Sequence, residues 1–303
     1  MAEICWHADF IEVMFFETYW IRSRRFLVVR DGTLFNQRAG GAKRGRILAL
    51  SGTEEEILAM LKKFILSAIR KFGYEIIKAP TTTRNEHETI TPLASYAPWN
   101  LDPLFAKVYD QCRTHTLVDI YRCYEIWSAV AEAAKLQQGD LMEVGVWRGG
   151  TGAVIAIQSA RLIPSARVFL CDTFTGVVKT GAQDTLYEDG MHADTSAEIV
   201  QHLLGQLGLN NAVVLQGIFP EQTADRIQDH RFRFCHVDVD VYQSAKDVCQ
   251  WLWPRLVPGG LVVFDDYGMR GTEGVQRCVN EWRVRDDLTF LYNLDGHAIF
   301  IKK

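Results

Sequence analysis

The sequence lacks the features that would assign it to a membrane or to an oxidising compartment. None of its uncharged apolar runs reaches the roughly 18 residues that a membrane-spanning helix needs. Its seven cysteines are odd in number and form no CxxC pair, and Cys171 and Cys235 lie inside apolar runs. Residues 1–16 carry acidic side chains where a secretory signal is basic and then apolar. We therefore predict a cytoplasmic protein with buried, reduced cysteines and no integral membrane segment.

The sequence also has no strong excess of charge of either sign. Its 33 basic and 37 acidic residues give a formal net charge of −4, and 23% of its residues are charged. Both values are ordinary for a globular protein, and 303 residues are enough for one large domain or two. A chain that binds nucleic acid through its whole surface would be more basic, so we predict no nucleic-acid partner.

The first 52 residues differ from the rest of the chain. Residues 20–50 hold eight basic side chains and one acidic side chain, Asp31, which is followed by Gly32. We predict that residues 1–52 form a basic extension of uncertain order with a short hairpin at Asp31-Gly32. An alternative is that part of this segment lies upstream of the true translation start.

Residues 53–136 are predicted to form a helical N-terminal region with a linker or lid. Thr53 and Glu56 have capping-box spacing at the start of one helical pattern. Residues 79–103 are rich in Pro, Thr and Asn, which favours a linker. A second amphipathic pattern predicts a helix over 117–136.

From residue 137 onward the sequence alternates between strand and helix patterns. The strand-like runs are 141–146, 167–172, 212–216, 232–239, 261–265, 288–293 and 297–302. The helix-like runs are 150–161, 196–207, 244–256 and 273–285, with Thr195 and Glu198 as a capping box for the second. This alternation predicts an α/β domain over 137–303 with a mostly parallel, seven-stranded sheet. Asp295-Gly296 predicts a C-terminal antiparallel hairpin, which is the organisation of Rossmann-like class I methyltransferases.

The first candidate ligand site is the turn that follows the strand at 141–146. Gly145, Gly149 and Gly150 would let a ligand approach the backbone at the start of a helix. The GxGxxG spacing of a dinucleotide site is absent, and Glu143 would repel a pyrophosphate. A carboxylate there suits a cationic, hydroxyl-bearing ligand such as S-adenosylmethionine. The alternative is a tight strand–helix turn with an incidental acid.

Two further strand ends extend this site. Asp172 ends the second strand of the domain, where an acid typically accepts hydrogen bonds from ribose hydroxyls. The alternative for Asp172 is that it caps the following turn. Gly217 and Phe219 follow the third strand, where an adenine could pack, although Phe219 could equally belong to the core.

The second candidate site consists of carboxylates after the fourth and fifth strands. Asp238, Asp265 and Asp266 would converge at the carboxyl edge of a parallel sheet. Their mutual repulsion and oxygen chemistry favour bound Mg²⁺, Mn²⁺ or Ca²⁺ over zinc. The alternatives are that the Asp265-Asp266 pair caps a helix and that Asp240 binds backbone groups near Tyr242. Neighbouring His236 is either a catalytic base or a hydrogen-bonded core residue.

Four ordered motifs resemble the macrocin O-methyltransferase family, whose members methylate sugar hydroxyls of natural products. The similarity covers about residues 114–303. The motifs are EVGVWRGG at 143–150, CDTFTG at 171–176, HVDVDVYQS at 236–244 and PGGLVVFDDYG at 258–268. In this chain Val177-Val178 and the DVYQS segment at 240–244 replace Leu-Pro and DLYES of the family. The first change lies in the predicted substrate lid, which includes the long acidic loop 180–194. His192 in this loop is a second ambiguous catalytic candidate, and the alternative is that the loop is simply solvated.

This resemblance implies a role for each matching residue. It assigns Glu143 and the turn containing Gly145, Trp147 and Gly149 to the S-adenosylmethionine cradle. Asp172 would lie near the ribose of this cofactor. The helix beginning near Thr116, with Arg122 in it, would close over the methionine end. Asp238, Asp265 and Asp266 would bind Mg²⁺ or Mn²⁺.

The resemblance implies an S-adenosylmethionine-dependent, metal-assisted O-methyltransferase acting on a sugar hydroxyl of a glycosylated natural product or glycan. Asp238 is the predicted acceptor of the hydroxyl proton. One alternative acceptor is a catechol or another vicinal diol, since a metal needs two neighbouring oxygens. A less favoured alternative is an NAD-linked Rossmann oxidoreductase or epimerase. The partner is thus a small glycoside or diol, and the family resemblance also implies a homo-oligomer.

Overall fold

The computed structural model describes residues 94–303, His87 and the backbone of two short strands near the N-terminus. The chain divides into two compact units, Met1–Arg84 and Asn85–Lys303. In the first unit, strands β1 (Arg25–Arg30) and β2 (Thr33–Arg38) pair antiparallel, with Arg30 opposite Thr33. This confirms the predicted hairpin. The helix predicted after Thr53 and most of the predicted linker lie outside the described residues, and the predicted domain boundaries at 52 and 136 stay predictions.

From residue 140 onward the second unit alternates strands and helices in the order that the sequence predicts. Its helices are α1 (Pro103–Cys112), α2 (Ile120–Ala133), α3 (Gly150–Leu162), α4 (Ala197–Gln206), α5 (Tyr242–Leu252) and α6 (Glu273–Trp282). Its strands are β3 (Asp140–Val144), β4 (Val168–Asp172), β5 (Ala212–Gln216), β6 (Phe232–Val237), β7 (Leu256–Phe264), β8 (Leu288–Tyr292) and β9 (Ala298–Lys302). Short 3-10 turns occupy Pro98–Asn100, Ala224–Ile227 and Trp253–Arg255.

The seven strands of this unit form one mixed sheet in the order β5-β4-β3-β6-β7-β9-β8. The first five are parallel to one another, whereas β9 pairs antiparallel with both β7 and β8. The chain order reverses between β3 and β6, which is where ligands bind in open α/β sheets. The predicted sheet and its C-terminal hairpin are therefore confirmed.

The central strands are buried on both faces because helices cover both sides of the sheet. All six residues of β6 are buried, and four of them are apolar, as burial on both faces of the sheet requires. Met142 and Phe264 lie in one core cluster, and Leu141 and Phe234 lie in another. Each fully buried aromatic or aliphatic side chain contributes roughly 1.5–3 kcal/mol through removal of apolar surface from water. These two clusters make the carboxyl edge of the sheet a rigid platform.

Helices α1 and α2 cover α3 through a third cluster that includes Phe105, Trp127 and Val154. Asp102 caps α1 by accepting from the backbone nitrogens of Leu104 (3.0 Å) and Phe105 (2.9 Å). The sequence reasoning missed α1, because the Pro-rich composition before residue 103 favoured a linker. Pro103 is in fact the first residue of the helix, a position that tolerates proline.

Two predicted helix starts are corrected by the capping contacts. Asp119 caps α2, so this helix begins at Ile120 rather than at residues 116–117. Ser196 caps α4 by accepting from Ile199 N (3.3 Å). The predicted cap, Thr195, instead donates its hydroxyl to the carbonyl oxygen of Trp147. Within the described part of the chain, no helix has the length and apolar character to cross a bilayer.

Candidate active site

A cavity opens at the carboxyl edge of the sheet, beside the reversal between β3 and β6. Its walls come from the segments that follow β3, β4, β5, β6 and β7, and from the segment before α2. Ten of the predicted site residues line it: Thr116, Arg122, Gly145, Trp147, Asp172, Gly217, Phe219, Asp238, Asp265 and Asp266. The structure thus brings together residues that lie up to 150 positions apart (266 − 116 = 150).

The turn between β3 and α3 packs directly against the end of β6. Gly145 has φ +85°, and a Cβ atom at this position would lie 1.6 Å from the carbonyl oxygen of Asp238. Gly149 has φ +87° and precedes the first residue of α3. Only glycine combines the left-handed backbone with this close approach. The turn therefore places the backbone nitrogens of the α3 N-terminus near the cavity, which suits a polar ligand.

Asp172 organises this turn with its carboxylate. Oδ2 accepts from the backbone nitrogens of Val146 (2.6 Å) and Trp147 (2.9 Å), and Oδ1 accepts from Phe174 N (2.7 Å). The alternative role predicted for Asp172, capping the following turn, is confirmed by the contact with Phe174. Because each carboxylate oxygen has two acceptor positions, Asp172 can hold the turn and still accept from a ligand hydroxyl in the cavity.

Trp147 joins the turn to the loop before α4. Its backbone has φ +46°, and its indole Nε1 donates to Asp194 Oδ1 at 2.9 Å. Arg148 also contacts Asp194, with 2.6 Å between Nη2 and Oδ2. The indole ring lies in the cavity wall, so the apolar surface of Trp147 faces any ligand that occupies the turn.

The structure places Glu143 behind the cavity wall rather than in it. Its side chain is fully buried, and Oε1 lies 3.0 Å from His236 Nδ1. Burial raises the pKa of Glu143, whereas the contact with His236 opposes this rise. Glu143 is absent from the cavity lining, as is Gly149. His236 is also fully buried, which is the hydrogen-bonded core role considered for it.

The three predicted metal ligands converge as expected from the parallel strands. Asp238 follows β6, and Asp265 and Asp266 follow β7; their carboxylate oxygens lie within 4.8 Å of one another. Asp265 and Asp266 are buried, and Asp238 is partly exposed at the cavity. This is an all-oxygen donor set of the kind that Mg²⁺ and Mn²⁺ prefer. The trio therefore fits a divalent cation.

The carboxylates of this trio differ in their electrostatic surroundings. Burial and the neighbouring carboxylates raise the pKa of Asp238 and Asp266 well above the ordinary carboxyl value. Burial would also raise the pKa of Asp265, but His236, His297 and Arg122 hold it well below its usual range. An additional positive charge near Asp238 and Asp266 would relieve their repulsion.

Arg122 connects the segment before α2 to this trio. Its Nε donates to Asp119 Oδ2 at 2.7 Å, and its Nη1 donates to Asp265 Oδ2. Asp119 also caps α2 through Tyr121 N (2.8 Å) and Arg122 N (3.0 Å). Arg122 lies in the cavity wall beside Thr116, so the start of α2 and the end of β7 are fixed relative to each other.

The cavity also contains Tyr187, Met269 and Arg270, which the sequence did not single out for the site. His192, the ambiguous candidate in the acidic loop, lines it as well, and so does Asp240. Asp240 has φ +64°, and burial together with neighbouring charges raises its pKa. The second acid of the DVD segment was the available signal for Asp240. From the sequence, Asp240 is considered only as an acid that binds backbone groups near Tyr242, and alternation along an extended strand does not predict a left-handed residue at this position.

The loop between β4 and α4 is fixed to the rest of the domain. Asp184 Oδ1 accepts from the backbone nitrogen of Tyr242 (2.9 Å), the first residue of α5. Ser244 Oγ donates to the carbonyl oxygen of Val178 at 3.1 Å. Val177 and Val178, which replace Leu-Pro of the family motif, line the cavity. The loop thus contributes Val177 and Val178 to the cavity wall and is held against the start of α5.

The fold and the site define an α/β O-methyltransferase, and comparisons with known proteins identify the family. The family model described as macrocin-O-methyltransferase (TylF) matches residues 106–303, which is well over half of the chain. The chain belongs to this family and is therefore an S-adenosylmethionine-dependent O-methyltransferase. Family membership overturns the alternative of an NAD-linked oxidoreductase or epimerase.

Individual relatives agree with this assignment. The chain is 29% identical over 201 residues to the 8-demethyl-8-(2,3-dimethoxy-alpha-L-rhamnosyl)-tetracenomycin-C 4'-O-methyltransferase of Streptomyces olivaceus, covering 61% of this chain and 74% of that protein. It is 29% identical over 204 residues to the mycinamicin III 3''-O-methyltransferase of Micromonospora griseorubida, covering 62% and 78%.

Solved structures share the fold. The O-methyltransferase NovP has a TM-score of 0.55 and 24% identity, covering 62% of this chain and 82% of NovP. The calicheamicin methyltransferase CalS11 has a TM-score of 0.54 and 16% identity, covering 86% of this chain and 99% of CalS11. The predicted Rossmann-like methyltransferase fold is thus confirmed.

Proposed function

We propose that this enzyme transfers the methyl group of S-adenosylmethionine to a hydroxyl of a sugar, assisted by a divalent cation that Asp238, Asp265 and Asp266 hold. The single observation that carries this proposal is the convergence of the three carboxylates beside the glycine-containing turn in one cavity. The acceptor class is supported by the relatives, whose names specify O-methylation of tetracenomycin and mycinamicin derivatives.

The turn and Asp172 supply the cofactor half of the site. The backbone nitrogens of the turn are oriented by Asp172, and the remaining acceptor positions of this carboxylate suit ribose hydroxyls. Gly217 and Phe219 lie in the wall after β5, where the adenine would pack. Glu143 contributes from behind the wall, by fixing the end of β3 against β6 through His236. Thr116 and Arg122 lie in the wall where the methionine end is predicted.

The carboxylate trio supplies the acceptor half. A bound Mg²⁺ or Mn²⁺ would lower the pKa of an acceptor hydroxyl and so favour its ionised, nucleophilic form. Asp238 accepts the proton that the hydroxyl releases, and Asp240 is a second carboxylate in the cavity with a raised pKa that suits this role. The turn and the trio hold the two substrates in one orientation, which supplies much of the rate increase.

The remaining predictions concern the partners and location of the enzyme. We propose a small glycoside as acceptor, a homo-oligomer and a cytoplasmic location. The described cysteines are free and buried, as in a reducing compartment. Several large apolar side chains are exposed within residues 96–104, including Tyr96 and Leu101, and these suit a subunit interface. The oligomeric state can be measured by light scattering.

Acceptor profiling with isotopically labelled S-adenosylmethionine tests the proposed function. The full-length chain is incubated with Mg²⁺ and either a methyl rhamnoside or a simple catechol, and methylated product is quantified by mass spectrometry. We expect product from the glycoside, and its loss when EDTA is added. If only the catechol is methylated, the acceptor is a vicinal diol and not a sugar. If turnover in EDTA is undiminished, the enzyme does not need a divalent cation.

A further inference from the structure

Asp265 differs from the other two carboxylates of the trio because an imidazole ring holds one of its oxygens. His297 Nε2 lies 2.9 Å from Asp265 Oδ1, and the ring of His297 is fully buried. His236 Nε2 is farther away, at 3.7 Å from the same oxygen. Neither histidine lines the cavity, so both approach Asp265 from inside the protein while the trio faces the ligand.

The orientation of the His297 ring is fixed from its other side. Its Nδ1 lies 2.5 Å from Glu125 Oε2 in α2. The same Glu125 oxygen accepts from the side chain of Asn293, whose Oδ1 accepts from the backbone nitrogen of His297 at 3.0 Å. Both ring nitrogens and the backbone nitrogen of His297 therefore have partners, which leaves the ring one orientation.

These contacts form a continuous path from α2 through the C-terminal hairpin to the metal site. Glu125 is in α2, His297 immediately precedes β9, and Asp265 immediately follows β7. A carboxylate–histidine pair of this kind elsewhere fixes the orientation of groups at metal centres, and its loss typically reduces metal affinity 10–100-fold. Here the pair acts on a carboxylate ligand instead of contacting the cation itself.

We infer that His297, supported by Glu125, is a positioning residue that orients Asp265 for the divalent cation. This inference rests on the metal site of the proposed function. It assigns to the C-terminal hairpin a part in cation binding, although none of the hairpin residues lies within the trio. His297 holds Oδ1 and Arg122 binds Oδ2, so the carboxylate of Asp265 has one orientation beside Asp238 and Asp266.

Direct measurement of Mn²⁺ binding by calorimetry tests this inference on the full-length chain. We expect His297→Phe, which keeps a ring but removes both nitrogens, to raise the Kd for Mn²⁺ about 10–100-fold. Glu125→Gln should weaken Mn²⁺ binding less, because it keeps an oxygen acceptor for the ring. His297→Gln should recover part of the loss, since its amide can still donate to Asp265. The affinity for S-adenosylmethionine should stay within about two-fold in each variant.

A matched control separates positioning from general stability. Leu288→Ala removes a buried side chain at the other end of the same hairpin, where Leu288 pairs with Lys302. It should lower the melting temperature, since such truncations cost about 2–5 kcal/mol, and yet leave Mn²⁺ affinity unchanged. Glu125→Gln, which deletes no buried volume, keeps the test open if His297→Phe does not fold.

Three outcomes would overturn the inference, and one of them would also reject the metal site of the proposed function. Unchanged Mn²⁺ affinity in His297→Phe and Glu125→Gln would reject the positioning role alone. An equal loss of affinity in Leu288→Ala and His297→Phe, at equal loss of stability, would make the effect structural. Absence of Mn²⁺ binding in the unmodified chain would reject the metal in the proposed function and, with it, the inference.

Discussion

Gly145 and Asp238 touch across the two strands on either side of the sheet reversal. A Cβ atom at Gly145 would lie 1.6 Å from the Asp238 carbonyl oxygen and 2.6 Å from its carbonyl carbon. The glycine-containing turn and the first carboxylate residue of the trio are therefore in van der Waals contact through backbone atoms. Movement of one strand end relative to the other would disturb both halves of the site.

The substitution Gly145→Ala should destabilise the protein and abolish S-adenosylmethionine binding. The left-handed backbone alone costs a non-glycine residue roughly 1–2 kcal/mol, and the clash with Asp238 adds to this. Gly208→Ala is the matched control, because Gly208 has φ +69° and open space around it. Melting curves and cofactor calorimetry should show only the smaller, conformational loss for Gly208→Ala. Normal cofactor affinity in Gly145→Ala would contradict the close packing.

The substitution Asp172→Asn should weaken S-adenosylmethionine binding ten-fold or more, since hydrogen bonds to a charged group contribute about 1.5–3 kcal/mol. The Asn side chain can accept with one oxygen only and cannot hold three backbone nitrogens. Asp194→Asn is the control on the other side of the same turn. Its carboxylate is 61% exposed, and such surface pairs contribute about 0–1 kcal/mol. If calorimetry gives the two variants equal affinities for S-adenosylmethionine, Asp172 has no special role in cofactor binding.

The substitution Asp238→Asn should abolish Mg²⁺-dependent turnover while S-adenosylmethionine still binds. It removes one of three ligand charges, but leaves the backbone that contacts Gly145 in place. Asp266→Asn should have the same effect, although Asp266 Oδ2 also accepts from Asp240 N at 3.1 Å. Product formation, Mn²⁺ binding and cofactor binding are measured on the same samples. Turnover at the normal rate in either variant would contradict the metal role.

The substitution Asp240→Asn should distinguish the two carboxylates that can accept the proton. If Asp240 is the acceptor, kcat falls about 10²–10⁴-fold while Mn²⁺ binding is retained. Asp238→Asn should instead lose both. Tyr187→Phe is a milder test, because the phenol next to Asp240 has a pKa that burial and this carboxylate raise. A kcat close to normal in Asp240→Asn would leave Asp238 as the proton acceptor.

The metal-free protein should become less stable as pH rises. The folded-state pKa values of Asp238 and Asp266 are raised above the ordinary value of 3.8, so the folded chain binds more protons than the unfolded chain above that pH. The pKa of His236 is raised from 6.5 to about 10, although burial opposes this, because Asp265 and Glu143 favour its charged form. Its stabilising contribution is complete below 6.5 and is lost as pH rises to about 10.

Asp265 affects the pH dependence of stability with the opposite sign, because its pKa is lowered in the folded protein. Its stabilising contribution is therefore already complete at any pH above the ordinary carboxyl pKa. Between about pH 6 and about pH 9 the melting temperature in EDTA should therefore fall, and the increase caused by added Mg²⁺ should grow. Asp238→Asn should flatten this dependence. A melting temperature in EDTA that rises across this range would contradict the assigned shifts.

The sheet was predictable because its strands and helices differ clearly in periodicity. Strand β6 is a buried run in which Phe232, Phe234 and Cys235 surround a single charged residue, Arg233. Asp172, Asp238 and Asp265 mark strand ends by their position after apolar residues. Parallel pairing then places these acids at one edge without knowledge of any side-chain contact. This explains why ten of the twelve site residues predicted from the sequence line the cavity.

Other parts of the site depend on contacts that no sequence pattern contains. The burial of Glu143 follows from its pairing with His236, 93 residues away. Asp240 has a left-handed backbone, and His297 approaches Asp265. Both features depend on how the segments after β6, after β7 and before β9 pack together. Helix α1 was missed because the Pro-, Thr- and Asn-rich composition of residues 79–103 favoured a linker, and the single capping residue Asp102 was too weak a signal against it. Long-range packing decides each of these features.

The attachment of the β4–α4 loop to α5 affects any attempt to change the acceptor by exchanging loops between relatives. Asp184 binds the first residue of α5, and Ser244 of that helix binds Val178 of the loop. Asp240 lies two residues before the same helix start. A transplanted loop would alter the helix start and, with it, the position of Asp240. Acceptor preference and catalytic geometry are thus inherited together, and a working chimera must carry the loop and the beginning of α5 as one piece.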